Sequence, residues 1–395
     1  MLSSIINSGA ETTEAGSFSL VRDDVPFRLQ RRLGLIPADG LGLVRRAVFW
    51  SMLGWLPIAV WAIAMQRAWP GTTSEPLLAH YGIHARLLVA VPLLILAEGP
   101  ANALVARLLG HFATSGVLRA GDRGAFDAAV ARAVRQRDAA LPWVVIAALV
   151  LTFVTLTQWL GHEHEGSWDG TGAAGFGALW FLTVGRAIYL TLVLAWIWRI
   201  LLLTMLLRRL ARLDLALVPT HPDRAGGLGF LAPLPQVFAP LALAVGAVVA
   251  ARWAHDAVYH GLSLASLRLE MIAFVAACVV VLGLPLLAFA GPLKREKKQA
   301  LLDYGALVAR HGRLVHERWI AGHVVSRPEI LEAPELGPVA DTAALYESVA
   351  RMRRLPAGIS AMAPVALAAA LPIVAALALQ MPVKDLLLKL LKAVL

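Results

Sequence analysis

Cysteine is all but missing from this chain. Cys278 stands alone among 395 residues, inside an apolar run, so disulfides and CxxC metal or redox sites are excluded. Charge is scarce too: 16% of residues are Asp, Glu, Lys or Arg against 58% hydrophobic, and the mean hydropathy of +0.68 lies outside the soluble range. The net charge of +10 does not point to a nucleic-acid partner, because the basic residues sit beside apolar runs rather than on a polar face with interleaved aromatics. The first twenty residues, MLSSIINSGAETTEAGSFSL, lack a basic start before an apolar core. No cleavable signal peptide is expected, and the first span serves as the insertion signal. No HExxH, GxSxG, paired-acid, nucleotide or haem motif is visible, which leaves an enzyme with little support. Nor is there an internal repeat or an inverted pair of broken helices of the kind many secondary transporters show.

What the chain has instead is seven long apolar stretches. About 20 such residues cross the hydrocarbon as a helix. The stretches run 47–65, 87–109, 139–160, 177–207, 234–259, 271–293 and 358–380. The expectation is an all-α polytopic transmembrane bundle. Of 36 Lys and Arg, 27 fall in the N-terminal segment and the second, fourth and sixth gaps when Arg107, at the inner end of its stretch, is counted with the gap it borders; 6 fall on the other side, and Arg186, Arg199 and Arg252 lie within stretches. The positive-inside rule then places the N-terminus in the cytoplasm of a bacterial inner membrane. The basic gaps anchor it against anionic lipid head groups, so the lipid bilayer is the expected partner, and a homo-oligomer is compatible with the sequence. Trp50 and Trp69, Trp143 and Trp159, and Trp180 and Trp198 sit near span ends, as interfacial belts do.

The chain divides into a cytoplasmic N-terminal segment (1–46), a six-span bundle (47–293), a cytoplasmic helical hairpin (294–356, its second helix capped by Asp341) and a last part (357–395). In that last part 358–380, interrupted by Pro364 and Pro372, is a seventh span or a re-entrant segment. The terminal MPVKDLLLKLLKAVL reads as an amphipathic helix at an interface, and its three lysines suit the cytoplasmic side better than seven spans allow.

The string PTHPDRAGGLGFLAPLP enters the fifth span from the basic side. Pro222 turns His221 out of helical geometry, and Gly226, Gly227 and Gly229 allow positive φ and close backbone approach. Aided by Arg224, such a loop can cradle an anion. Alternatively it is a tight turn in which Asp223 and Arg224 are satisfied locally. HPDRAGGLGFL, together with the LVAVPLLILAE segment that ends in Glu98, resembles a group of uncharacterised bacterial multi-pass inner-membrane proteins. The resemblance covers most of the chain and implies an architecture but no activity.

Charges in lipid cost several kcal/mol unless paired or wet, so intramembrane ionisable residues are functional candidates. Counted along their helices, Glu98, Arg186 and Arg252 fall in the outer half, with His255 and Asp256 just beyond. This predicts one intramembrane polar cluster that binds an anion or relays protons, or else a static salt-bridge network. Arg199 reads as an inner-interface anchor. The outer HEHE run offers His162, His164 and Glu165 to a divalent metal, with a solvated acidic loop as the plainer alternative. No other cofactor is indicated. Three functions follow: a permease or channel for a small solute, such as an anion, or for protons; a non-enzymatic sensor or scaffold binding lipid or a partner subunit; and a metal-dependent membrane enzyme.

Overall fold

The computed structural model describes residues 18–37, 40–69, 71, 76–159, 175–323 and 339–379. The described residues are helical apart from connecting loops and one isolated bridge between Leu118 and Leu215. A short helix comes first: α1 (Val25–Arg32), capped by Asp24, whose carboxylate accepts the Phe27 amide at 2.8 Å, and closed by Arg31 and Arg32 in its last turn. Then come α2 (Leu43–Ala64), α3 (Tyr81–Thr114), α4 (Arg123–Asp138), α5 (Leu141–Trp159), α6 (Phe176–Leu210), α7 (Ala239–Tyr259), α8 (Arg268–Arg318), α9 (Val339–Ala350) and α10 (Ala363–Leu377). Seven helical segments are long and apolar enough to cross a membrane. The chain is a multi-pass integral membrane protein.

Four of the spanning helices, α2, α3, α6 and α8, are longer than hydropathy alone suggested. α3 starts at Tyr81 and not Leu87, because Arg86 is tolerated inside it: its guanidinium lies 5.5 Å over the Phe181 ring. α8 runs on for 51 residues without breaking at the membrane edge, so its basic second half projects from the bundle and packs along α9. Asp341 falls within the first turn of α9, not at its N-cap.

The region around Pro364 and Pro372 spans the bundle. Pro364 sits in the first turn of α10, where its missing N–H has no intrahelical partner to lose. Close packing carries the helix across: Gly246 of α7 lies so near α10 that a Cβ there would stand 2.8 Å from the Ala369 carbonyl. Ile373 and Ala376 then pack with Ala257, Leu264 and Met271 at the far end of the neighbouring spans. α10 therefore reaches from one end of the bundle to the other. Residues 381–395, expected to form the amphipathic tail, lie outside the described part.

α6 is the central post, with α5 against its outer side and α2, α3 and the middle of α8 around it. Hydrocarbon offers no water to satisfy backbone groups, and a tryptophan answers where the helical ladder is broken. Pro57 inside α2 cannot donate to the Leu53 carbonyl, and the Trp180 indole donates to that oxygen at 3.1 Å. The fully buried Trp196 donates to the Leu94 carbonyl at 2.9 Å, tying α6 to α3.

Candidate functional site

The most concentrated buried chemistry lies at the basic end of the bundle, where α1 folds back beneath α2, α3 and α6. Glu98 is 1% exposed at its side chain, and both oxygens are occupied: Oε2 by Arg46 Nη1 at 2.5 Å and Oε1 by Arg199 Nη1 at 2.9 Å. Arg199 Nη2 also reaches Asp24 Oδ2 at 3.2 Å, and its guanidinium stands 5.5 Å over the Trp196 ring. Arg46 Nε donates to Gln30 Oε1 at 2.6 Å, and Trp50 Nε1 donates to the same oxygen at 3.3 Å. Two arginines and two carboxylates thus make a neutral network, all four side chains at most 4% exposed. Burial pushes the Asp24 carboxyl up, against the opposing pull of Arg199. The network is held in spite of a desolvation cost. Below it, Arg137 Nη1 donates to the Ser19 carbonyl at 2.6 Å and the Leu20 amide to Asn102 at 3.2 Å, tying the chain ahead of α1 to α3 and α4.

This arrangement corrects the expected outer-half cluster. Glu98 is seventeen residues from the start of α3 at Tyr81, about 26 Å along the helix axis, and so lies near the basic end. Counting from Leu87 had placed it six residues too shallow. Arg186 is thirteen residues before Arg199 on α6, about 20 Å from Glu98's partner, and is buried in the opposite half. Arg252 is exposed on the bundle exterior. His255 packs instead with His80, their rings stacked at 4.8 Å, and its Nδ1 lies 3.2 Å from the Ala79 carbonyl. Asp256 lies in the last turn of α7, its backbone carbonyl accepting the His260 and Leu262 amides at 3.0 and 3.2 Å. Arg199, the expected anchor, is instead the pivot of the buried network.

Asp24, Gln30 and Arg46 were not legible as site residues. The signal that could have pointed to Asp24 is its place two residues before Pro26, a helix start of Asp then Pro. Nothing local shows that α1 folds back onto the bundle.

The glycine loop is a second, self-contained site. Backbone φ is positive at Arg224 (56°), Gly226 (65°) and Gly227 (94°), and this turns successive amides inward. Their anion is the protein's own: Asp223 Oδ1 accepts from Ala225 at 2.7 Å and Gly227 at 3.2 Å, and Oδ2 from Gly229 at 2.7 Å. These amides outweigh desolvation and hold the Asp223 carboxyl below the usual carboxylate range. His221 Nδ1 stands 2.8 Å from Oδ1. Gly229 has to be glycine, since a Cβ there would meet the Asp223 Cβ at 2.7 Å. The cradle expected for an external anion is therefore filled from within. Arg224 helps only through its backbone, its carbonyl accepting the Arg353 amide at 2.6 Å, while Arg353 Nη2 donates to the Asp223 carbonyl at 2.7 Å. Lys297 fastens the same corner by donating to the Ala350 and Met352 carbonyls at 2.8 and 2.6 Å. Beside the loop a cleft of about 440 Å³ opens, lined by His111, Ser115, Val117, His221, Asp223 and Phe230 among others.

His162, His164 and Glu165 lie outside the described residues. Among the described residues no group of three or more His, Cys, Asp or Glu is placed to hold a metal ion. Comparison of the chain with protein-family models, with curated proteins and with solved structures finds no match.

Proposed function

We propose that the chain is a non-enzymatic sensor or scaffold of the membrane, whose ligand is lipid or a partner subunit. The observation that supports this is the closure of Glu98. A carboxylate that serves a permeating solute or proton needs access to solvent or substrate, whereas this one is 1% exposed and paired through both oxygens, to Arg46 and Arg199. The network joins one residue from each of α2, α3 and α6 to the segment that leads into α1, which is how a structural joint is built. In this reading the basic end faces the cytoplasm of a bacterial inner membrane, following the bias of Lys and Arg.

A second reading, a permease or channel, draws on the opposite half. There α3 and α6 each contain a π-helical stretch (Ala85–Ala90 and Phe181–Gly185), next to the buried Arg186. Such turns are frequent at functional sites. Solute flux and ion current in liposomes separate the two. The scaffold reading expects wild type, Glu98→Gln and Arg186→Gln to match protein-free liposomes. Flux through wild type that Arg186→Gln abolishes without unfolding the protein would establish the permease instead.

A further inference from the structure

α1 has two unlike faces. Inward, Phe27 and Gln30 are buried, and the capping Asp24 and Gln30 hold Arg199 and Arg46. Outward, Arg28 and Arg32 are exposed one turn apart, Arg28 Nη2 also donating to the Asp138 carbonyl at the end of α4 at 3.1 Å, and on the adjoining strip Leu29 and Leu33 lie one turn apart, 57% and 62% exposed. Beside the helix a crevice of about 90 Å³ is lined by Arg22, Asp23, Arg31, Ile36 and Pro37 among others. Asp23 stands 3.9 Å from Arg31 and is outnumbered by Arg22, Arg28, Arg31 and Arg32. The helix is fixed at the membrane's basic edge by the turn into the first span: a Cβ on Gly42, the residue before α2, would stand 2.8 Å from the Leu35 carbonyl and 2.9 Å from Pro37.

We propose that this outward face and its crevice form a binding site for the head group of an anionic phospholipid, and that lipid bound there holds the buried Asp24–Arg199–Glu98–Arg46 network closed. The proposal rests on the scaffold or sensor reading and names its ligand. A phospholipid presents an anion and then an acyl chain, in the order in which this face presents arginines and then leucines. Free phosphate lacks the second part, and an acidic protein segment lacks the acyl chain that the leucine strip meets. Coupling to the network follows from covalent continuity. Asp24 and Gln30 sit on the same two turns as Arg28 and Leu29, so whatever fixes α1 from outside fixes their side chains inside.

The test uses the full chain in bilayer discs of phosphatidylcholine alone or with a minority of phosphatidylglycerol. Anionic lipid is expected to raise the melting temperature by roughly 2–4 °C, an effect that weakens with salt. It should also slow hydrogen exchange at the Phe27 and Arg28 amides. Arg28→Gln/Arg32→Gln should lose both effects, and so should Arg22→Gln/Arg31→Gln if the first pair folds poorly. Arg295→Gln/Lys298→Gln on α8, equally basic and exposed, should keep them. The proposal is overturned if the α1 variants respond as wild type does, or if inorganic phosphate or an acidic peptide reproduces the shift in detergent without lipid. Flux measured alongside reports separately on the scaffold reading: transport together with an intact lipid response sinks that reading while still supporting the lipid site.

Discussion

Replacing Glu98 by Gln removes one charge from a four-charge network without changing its volume. Arg46 then keeps Gln30 and the Leu41 carbonyl, at 2.6 and 3.4 Å, and Arg199 keeps Asp24 and the Trp196 ring. The region passes from neutral to a net charge of +1, and with these side chains at most 4% exposed, water cannot screen it. Removing one partner of a buried pair costs about 3–5 kcal/mol, mostly as the uncompensated charge left behind. Soluble-protein unfolding entropies of about 2 cal/mol/K per residue, applied to a chain of this length, turn 4 kcal/mol into a fall of roughly 5 °C in melting temperature. The assay is thermal unfolding in detergent followed by intrinsic fluorescence, with a double-mutant cycle of Glu98→Gln and Arg199→Gln. The two changes should not add, since each orphans the other's partner. Replacing Asp24, Arg46, Glu98 and Arg199 together with leucine or methionine is expected to recover much of the loss, because four buried charges also carry a desolvation cost. A Glu98→Gln protein that melts with wild type, or strictly additive single effects, would refute the claim that this network is a closed joint.

Three further outcomes follow from the geometry. Because the Asp223 carboxyl is held below its usual range, its contribution to stability is complete above about pH 4 and is lost as pH falls through its lower folded value; the protection of the Ala225, Gly227 and Gly229 amides relative to their intrinsic exchange rates should be full at about pH 5 and diminish once the pH falls below that folded value, and protection that persists after the carboxyl is protonated would contradict the cradle. Gly229→Ala should loosen the loop by about 1–3 kcal/mol through the Asp223 contact at 2.7 Å, read as new proteolytic cleavage near residue 225; an uncleaved variant would show that the loop can yield. Trp180→Phe leaves the Leu53 carbonyl without its donor in hydrocarbon and should cost about 1–3 kcal/mol of thermal stability; a variant that melts with wild type would show that the carbonyl finds another donor.

The spans were legible because a helix in lipid must be apolar over a fixed length, a requirement that leaves its mark in consecutive residues. Their ends were not. Arg86 enters α3 through its contact with Phe181, a residue about a hundred positions away, so hydropathy ended the span at Leu87 and carried Glu98 into the wrong half of the membrane. The same limit applied to the site. The glycines of HPDRAGGLGFL announced a cradle of inward amides, but only the fold shows that the carboxylate at its centre is Asp223 itself. Arg46 read as one more flanking charge, since its partners Gln30 and Glu98 lie 16 and 52 residues away.

The position of the buried charges also argues for what α1 does. An ion network that served only to hold α2, α3 and α6 together would need no residue from outside the bundle, because Arg46, Arg199 and Glu98 already sit on those three helices. Without Asp24 that trio carries a net charge of +1, and only the short basic segment folded beneath the bundle neutralises it. The balance of charge therefore makes the docking of α1 a condition of closing the core. α1 is eight residues long, too short to be a stable helix alone, and takes its order from the bundle on one side and its solvent on the other. In the proposed reading, a segment whose inner face completes a buried charge balance, and whose outer face carries arginine beside exposed leucine, would pass the state of the membrane surface into the packing of three spans. Such coupling is what a sensor requires.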